Sequence, residues 1–237
     1  MNYLKKVLNA MDEVFLFLFI QIVAMFSLTL VYNLYCIFRN IEASDSFLLE
    51  NGLLLGLIIV IVFLKYIKPS FNYEKIELNI LQYIHLLLFG IIGAISFNYF
   101  LLLLNEYFEF YSVIEFKKDV TIDIIITSSF IGPILEEITF RGILYNKIKN
   151  FNKPFMSYIV TGLIFGIMHF NIPQFIFAFL ANIIFIYTYE KYKTIKAPII
   201  VHIILNLVTL FLPYYFDKFI FIGSSVILFM LFYDKNK

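Results

Sequence analysis

The stretch Ile134 to Leu144, ILEEITFRGIL, sets Glu136, Glu137 and Arg141 inside a run of otherwise apolar and small side chains. Whether those charges face water or the inside of a membrane bundle decides the fold. The rest of the chain answers. Of 237 residues, 62% are hydrophobic and the mean hydropathy is +0.88, against roughly 45–50% apolar content in a soluble domain. Charged residues make up 15%, and 18 basic against 17 acidic side chains leave a net +1. That balance offers no basic surface for nucleic acid.

A helix needs about 20 mostly apolar residues to cross a bilayer. On that measure spans are predicted at 14–38, 52–67, 82–104, 123–146, 155–170, 173–189, 197–212 and 218–233. The first run is too long for a signal-peptide core and lacks a small-residue cleavage site, so it reads as a retained span. Positively charged loops favour the cytoplasm. With the N-terminus inside, Lys5, Lys6, Lys65, Lys68, Lys75, Lys147, Lys149, Lys153, Lys191, Lys193, Lys196, Lys235 and Lys237 fall inside. Arg39, Lys117, Lys118 and Lys218 fall outside, and Arg141 lies within a span. The fold class expected is therefore all-α: a polytopic membrane bundle of about eight transmembrane helices, with both ends inside. Residues 1–237 read as a single membrane domain, without repeats or a Gly/Ser-rich linker. The segment 105–120, NEYFEFYSVIEFKKDV, mixes aromatics with charges and reads as an interfacial helix or connector. Cys36 is a lone cysteine in an apolar run and reads as lipid-facing or packed.

Placing a charge at a helix centre costs about 2.5–3.5 kcal/mol on insertion scales, so such residues face a bundle interior and tend to carry function. Glu137 and Arg141 are four apart, in the order that favours pairing along one face. Glu136 projects elsewhere and is the carboxylate left for chemistry. A purely structural ion cluster is the competing reading. In GLIFGIMHF, His169 follows Phe165 by four residues, and Gly162 and Gly166 mark a stripe that admits close helix packing. In IIVHIILNLV, His202 and Asn206 share one helical face. Both histidines could instead serve as interhelical polar links. His85 has no such partner pattern and reads as structural or interfacial.

Glu136-Glu137-x-x-x-Arg141, Phe165-x-x-x-His169 and His202-x-x-x-Asn206, in that order on successive apolar segments, resemble the motifs of the CPBP family of intramembrane endopeptidases. This family (CAAX protease and bacteriocin-processing, also Abi) is also matched by Gly142 after the arginine. The resemblance covers a core at about 121–212, and residues 1–104 supply N-terminal helices of unassigned role. It implies peptide-bond hydrolysis within or beside the membrane. Glu136 and His169 would position and deprotonate a water, His202 and Asn206 would donate to the oxyanion, and Glu137, Arg141 and Phe165 would support the site.

A zinc site built from Glu136, His169 and His202 is the alternative. The metal-free route is favoured because the chain lacks H-E-x-x-H and a clear acidic partner for each histidine. Cofactors are thus none favoured, with Zn2+ as the other possibility. The implied partners are a peptide or membrane-protein substrate and the lipid bilayer, not nucleic acid. Richness in Ile, Lys, Asn, Phe and Tyr points to a bacterial plasma membrane, and with it to bacteriocin self-immunity or peptide maturation. Two other classes remain: a non-catalytic membrane partner of a sensor kinase or toxin, and a transporter, which the lack of inverted repeats disfavours.

Overall fold

The computed structural model describes residues 3–41, 58, 76–109, 120–212 and 217–233. Among these residues the secondary structure is entirely helical. The helices are α1 (Tyr3–Arg39), α2 (Ile80–Phe108), α3 (122–149), α4 (Pro154–Ile167), α5 (Ile172–Tyr192), α6 (Lys196–Thr209) and α7 (Lys218–Phe232). The expected span 52–67 and most of the segment 105–120 lie outside the described residues; Asn105 to Phe108 form the last turn of α2.

Helix ends follow local chemistry. Asn79 opens α2 with a capping box: its side chain accepts from the Gln82 amide, and Gln82 Oε1 accepts from the Asn79 amide. Asn171 caps α5 by accepting from the Gln174 amide, and Asp217 caps α7 by accepting from Phe219 and Ile220. Asn40, Glu109 and Lys193 take positive φ just past the ends of α1, α2 and α5, the left-handed turn that stops a helix.

Among the described residues, two helices, α2 and α5, are long and apolar enough to cross a membrane by length and composition; α4, α6 and α7 are shorter apolar helices. Two expected spans end early: α4 stops at Ile167 rather than 170, and α6 at Thr209 rather than 212. A 14-residue helix rises about 21 Å, short of the ~30 Å hydrocarbon core.

The chain divides into two compact units: 1–71 with 121–151, and 72–120 with 152–237. In the first, α1 packs along the C-terminal half of α3, and Ala10, Val14 and Cys36 of α1 are buried. Cys36 is therefore packed. In the second unit α2 is the central post, packed against α6, α7 and α5, while α4 pairs with α5.

Small residues set the spacing of that unit. Leu86, Phe89, Gly90, Gly93 and Ala94 form a buried stripe on α2. A Cβ on Gly90 would lie 2.6 Å from Ile204 Cβ and 3.1 Å from the Val201 carbonyl oxygen of α6. Gly162 and Gly166 face Phe179, Asn182 and Phe175 of α5 at similar separations, which is the close packing their spacing predicts. Asn182, buried, donates to the Tyr158 carbonyl across the same contact. His85 is hydrogen-bonded through Nδ1 to the Tyr192 hydroxyl and packs edge-on to Phe89. It joins α2 to the end of α5, in keeping with a structural role.

Gly90→Val therefore forces a branched side chain against α6 backbone and is expected to cost about 1–3 kcal/mol. Gly223→Ala, with nothing within 4 Å, is expected to be neutral. Thermal unfolding of the purified proteins in detergent compares them.

Candidate active site

α3 is not a uniform α-helix. It runs through Ile122–Ile126, a π-helical turn Thr127–Ile131, an α segment Gly132–Glu137, a second π stretch Ile138–Tyr145, and Asn146–Lys149. Pro133 accounts for the first widening. It has no N–H to give to the carbonyl one α-turn back, and the backbone shifts to a five-residue closure in which the Gly132 N–H donates to the Thr127 carbonyl. Gly132 fits because a Cβ there would stand 3.1 Å from that same oxygen.

The second widening carries the charges. Side chains supply donors to carbonyls before and within it: Thr139 Oγ1 to Leu135 at 2.7 Å, and Asn146 Nδ2 to Arg141 at 3.0 Å and Gly142 at 2.9 Å. Single π turns inside α-helices are rare and cluster at functional sites.

Glu137 and Arg141 are both fully buried and joined at 3.0 Å between Oε1 and Nη1, as their spacing predicts. Glu136 lies on the α segment beside them and is half-buried. The two neighbouring glutamates thus differ in environment: one is enclosed with a guanidinium, the other partly open.

His169 is placed differently from the expectation that it lies within a helix. α4 ends at Ile167, and His169 sits in the turn beyond it. There it closes the helix. The last four carbonyls of α4 each receive a donor: Ile164 from the Met168 N–H at 3.3 Å, Phe165 from His169 Nδ1 at 2.9 Å, Gly166 from the His169 N–H at 3.0 Å, and Ile167 from the Phe170 N–H at 3.2 Å. Phe170 then turns the chain through a left-handed φ of 56° into α5. An apolar run does not reveal this stop, because His169 and Phe170 extend the hydrophobic pattern of α4.

A carbonyl oxygen can only accept, so His169 Nδ1 carries the proton in its bond to Phe165. With that proton on Nδ1, a neutral ring has its lone pair on Nε2, the form that acts as a base or ligand.

Phe165 links the two site histidines. Its ring is edge-on to His169 at 5.1 Å between centroids and edge-on to His202 at 6.2 Å. His202 is buried and lies flat on Phe185, 4.3 Å away at 23°. Phe185 also packs edge-on against Phe165 at 6.4 Å. Asn206 follows His202 by one turn on α6 and is half-buried. His169, His202, Asn206 and Phe165 belong to the second unit, and Glu136, Glu137 and Arg141 to the first.

The sequence reading missed Phe185, Asn146 and Pro133. A proline in mid-span and an amide four residues after Gly142 are visible signals of a broken helix; Phe185 is one phenylalanine among 30 and carries none. A cavity of about 340 Å³ in the second unit, lined by Ser96, Phe97, Phe100, Phe221 and Phe229 among others, includes no motif residue.

Residues 119–208 match the family described as type II CAAX prenyl endopeptidase Rce1-like. All seven motif residues fall inside that range. Among curated proteins, the chain is similar to "Putative membrane peptidase YdiL" of Bacillus subtilis (strain 168), 39% identical over 64 residues. That alignment takes in 24% of this chain and 26% of the relative, so the chain spans about a quarter of the length of the curated protein it matches. No solved structure matches the chain.

Arg141→Met alone leaves the Glu137 carboxylate buried against no cation and is expected to cost about 3–5 kcal/mol. The double variant Glu137→Leu/Arg141→Met is expected to recover most of that loss. Unfolding of the four proteins of this cycle in detergent gives the coupling directly.

Proposed function

We propose that the chain is an integral-membrane endopeptidase that hydrolyses a peptide bond in a peptide or membrane-anchored protein. The observation that carries this reading is the His169 Nδ1 bond to the Phe165 carbonyl, which fixes the tautomer that can take a proton at Nε2. In the reaction, Glu136 and His169 hold a water and remove its proton as its oxygen bonds to the scissile carbonyl carbon. The carbonyl oxygen becomes an oxyanion, which accepts hydrogen bonds from His202 and Asn206. Breakdown of that intermediate cleaves the C–N bond, and the proton passes to the departing amine. Glu137 and Arg141 hold the helix that bears Glu136, and Phe165 spaces the two imidazoles.

Each oxyanion donor contributes on the order of 10²–10³ in rate. The setting we favour is a bacterial plasma membrane, with eight spans and both ends inside. The substrate is then a bacteriocin-like or maturing peptide rather than a prenylated protein.

The second reading keeps the reaction and makes Glu136, His169 and His202 zinc ligands. The same His169 bond favours it too, since a metal-bound imidazole commonly donates its other N–H to a carbonyl. A bound zinc would acidify the attacking water.

Glu136→Gln and His169→Ala are each expected to lower peptide cleavage at least about a hundredfold, and Asn206→Ala by about 10²–10³, in purified protein of unchanged thermal stability. Full activity after exhaustive chelation, with no metal by elemental analysis, supports the metal-free route; loss restored by added Zn2+ supports the second. If Glu136→Gln and His169→Ala keep full cellular activity at normal abundance, the chain is a non-catalytic membrane partner.

A further inference from the structure

Within the second unit, α5 packs against both α4, whose closing turn holds His169, and α6, which bears His202. The buried face of α5 begins with the short side chains Ala178, Ala181 and Asn182, and Asn182 ties the helix to α4 through the Tyr158 carbonyl. Three residues on, along the same face, stands Phe185, a large ring with no exposure at all. It packs edge-on against Phe165 at 6.4 Å and flat against His202. One phenylalanine that no motif marks therefore lies between the motif ring of α4 and the imidazole of α6.

A histidine side chain does not set its own ring plane, because rotation about the bond from Cβ to the ring is broad. Its neighbours set it. Phe185 lies on His202 with 4.3 Å between centroids and 23° between planes, and Phe165 meets the same imidazole at 90° from 6.2 Å. The edge-on pair of Phe165 with His169 takes 5.1 Å, so 4.3 Å leaves no room for His202 to turn its edge toward Phe185. Phe185 has no space to retreat, being fully buried against Phe165. The plane matters chemically, since an imidazole N–H points along it. A hydrogen-bond donor stabilises an oxyanion only when aimed at the place where the charge develops, and a displacement of about 1 Å can cost on the order of 10²-fold in rate.

We propose that Phe185 is a positioning residue for peptide hydrolysis, holding the His202 ring in the plane from which its N–H donates to the oxyanion. The inference rests on the protease reading of His202, and Phe185 acts through that imidazole rather than on the substrate. Bulk alone does not perform this task. An unbranched aliphatic side chain fills much of the same space but has no flat face against which a ring can lie.

The test combines NMR of the purified full chain, carrying isotope-labelled histidine rings, with cleavage kinetics on the best-cleaved member of an internally quenched peptide library. The labelled histidines are His85, His169 and His202, and the His202 signals are assigned by their loss in His202→Gln. Protons over an aromatic face resonate upfield, so the native His202 ring signals are expected upfield of an ordinary histidine. Phe185→Met is expected to return them toward the ordinary position and to lower kcat about tenfold at unchanged KM, part of the 10²–10³ that one oxyanion donor contributes. Phe185→Tyr, which keeps the flat ring, is expected to keep the upfield signals and most of kcat. Native His202 signals at the ordinary position overturn the proposal even if no Phe185 variant folds. So does a Phe185→Met protein with native kcat, or one whose loss lies in KM, or a Phe185→Tyr protein that keeps the upfield signals yet loses as much kcat as Phe185→Met. Cleavage undiminished in His202→Gln strikes the protease reading of His202 itself, whereas cleavage lost in His202→Gln and intact in Phe185→Met strikes the proposal alone.

Discussion

Two opposite charges with no exposure at all, Glu137 and Arg141, constrain the whole of α3. Either one alone in an apolar interior is costly, and together they are tolerable only at hydrogen-bond distance. Their distance depends on the backbone between them. The helix passes from α to π geometry immediately after Glu137, and Thr139 and Asn146 donate to carbonyls on either side of the change. The ion pair, the widened turns and the two donors therefore form one dependent set. Pro133 starts the departure from regular geometry a few residues earlier, so Glu136 lies on a short α segment held between two irregular stretches.

The second unit solves a different problem by related means. A helix that stops in an apolar setting leaves four carbonyls without partners, and His169 supplies two of the donors α4 needs, one from its backbone and one from its ring. The ring bond that completes the helix end also chooses the tautomer. Structural and chemical roles therefore do not compete at His169, because they use different nitrogens. Phe165 connects this turn to His202, and Phe185 supports His202 from the other face. The spacing of this aromatic group rests on helix approaches that Gly162, Gly166, Gly90 and Gly93 permit.

Much of this was legible in the residues. Long apolar runs bounded by Asn, Pro, Lys and Asp locate helices because lipid and buried cores select the same side chains along an entire span. The Glu137–Arg141 bond and the glycine contacts of α4 with α5 follow from three- and four-residue spacing alone. Helix ends were less legible: hydropathy treats His169 and Phe170 as a continuation of α4, although the hydrogen bonds there belong to a stop. The π turns were not legible by period, since a hydrophobicity pattern does not report which carbonyl an amide closes on. Pro133 was the available clue, as a residue that must break the ladder of any helix running through it.

The same physics relates the motif residues to the parts of the chain that no motif marks. Buried charges need a stiff surrounding, because any motion that separates Glu137 from Arg141 leaves each in an apolar interior without its partner. Within the first unit that stiffness comes from α1, packed along the π stretch and the final turn of α3. α1 carries none of the chemistry and presents much of its surface to the outside, yet it is the helix against which the irregular part of α3 is braced. A substitution on the buried side of α1, at Ala10 or Val14, would therefore act on the geometry around Glu137 and Arg141 through packing rather than through charge. The N-terminal helix is in this sense a support for the polar segment, and its sequence needs only to be apolar and well packed to provide it.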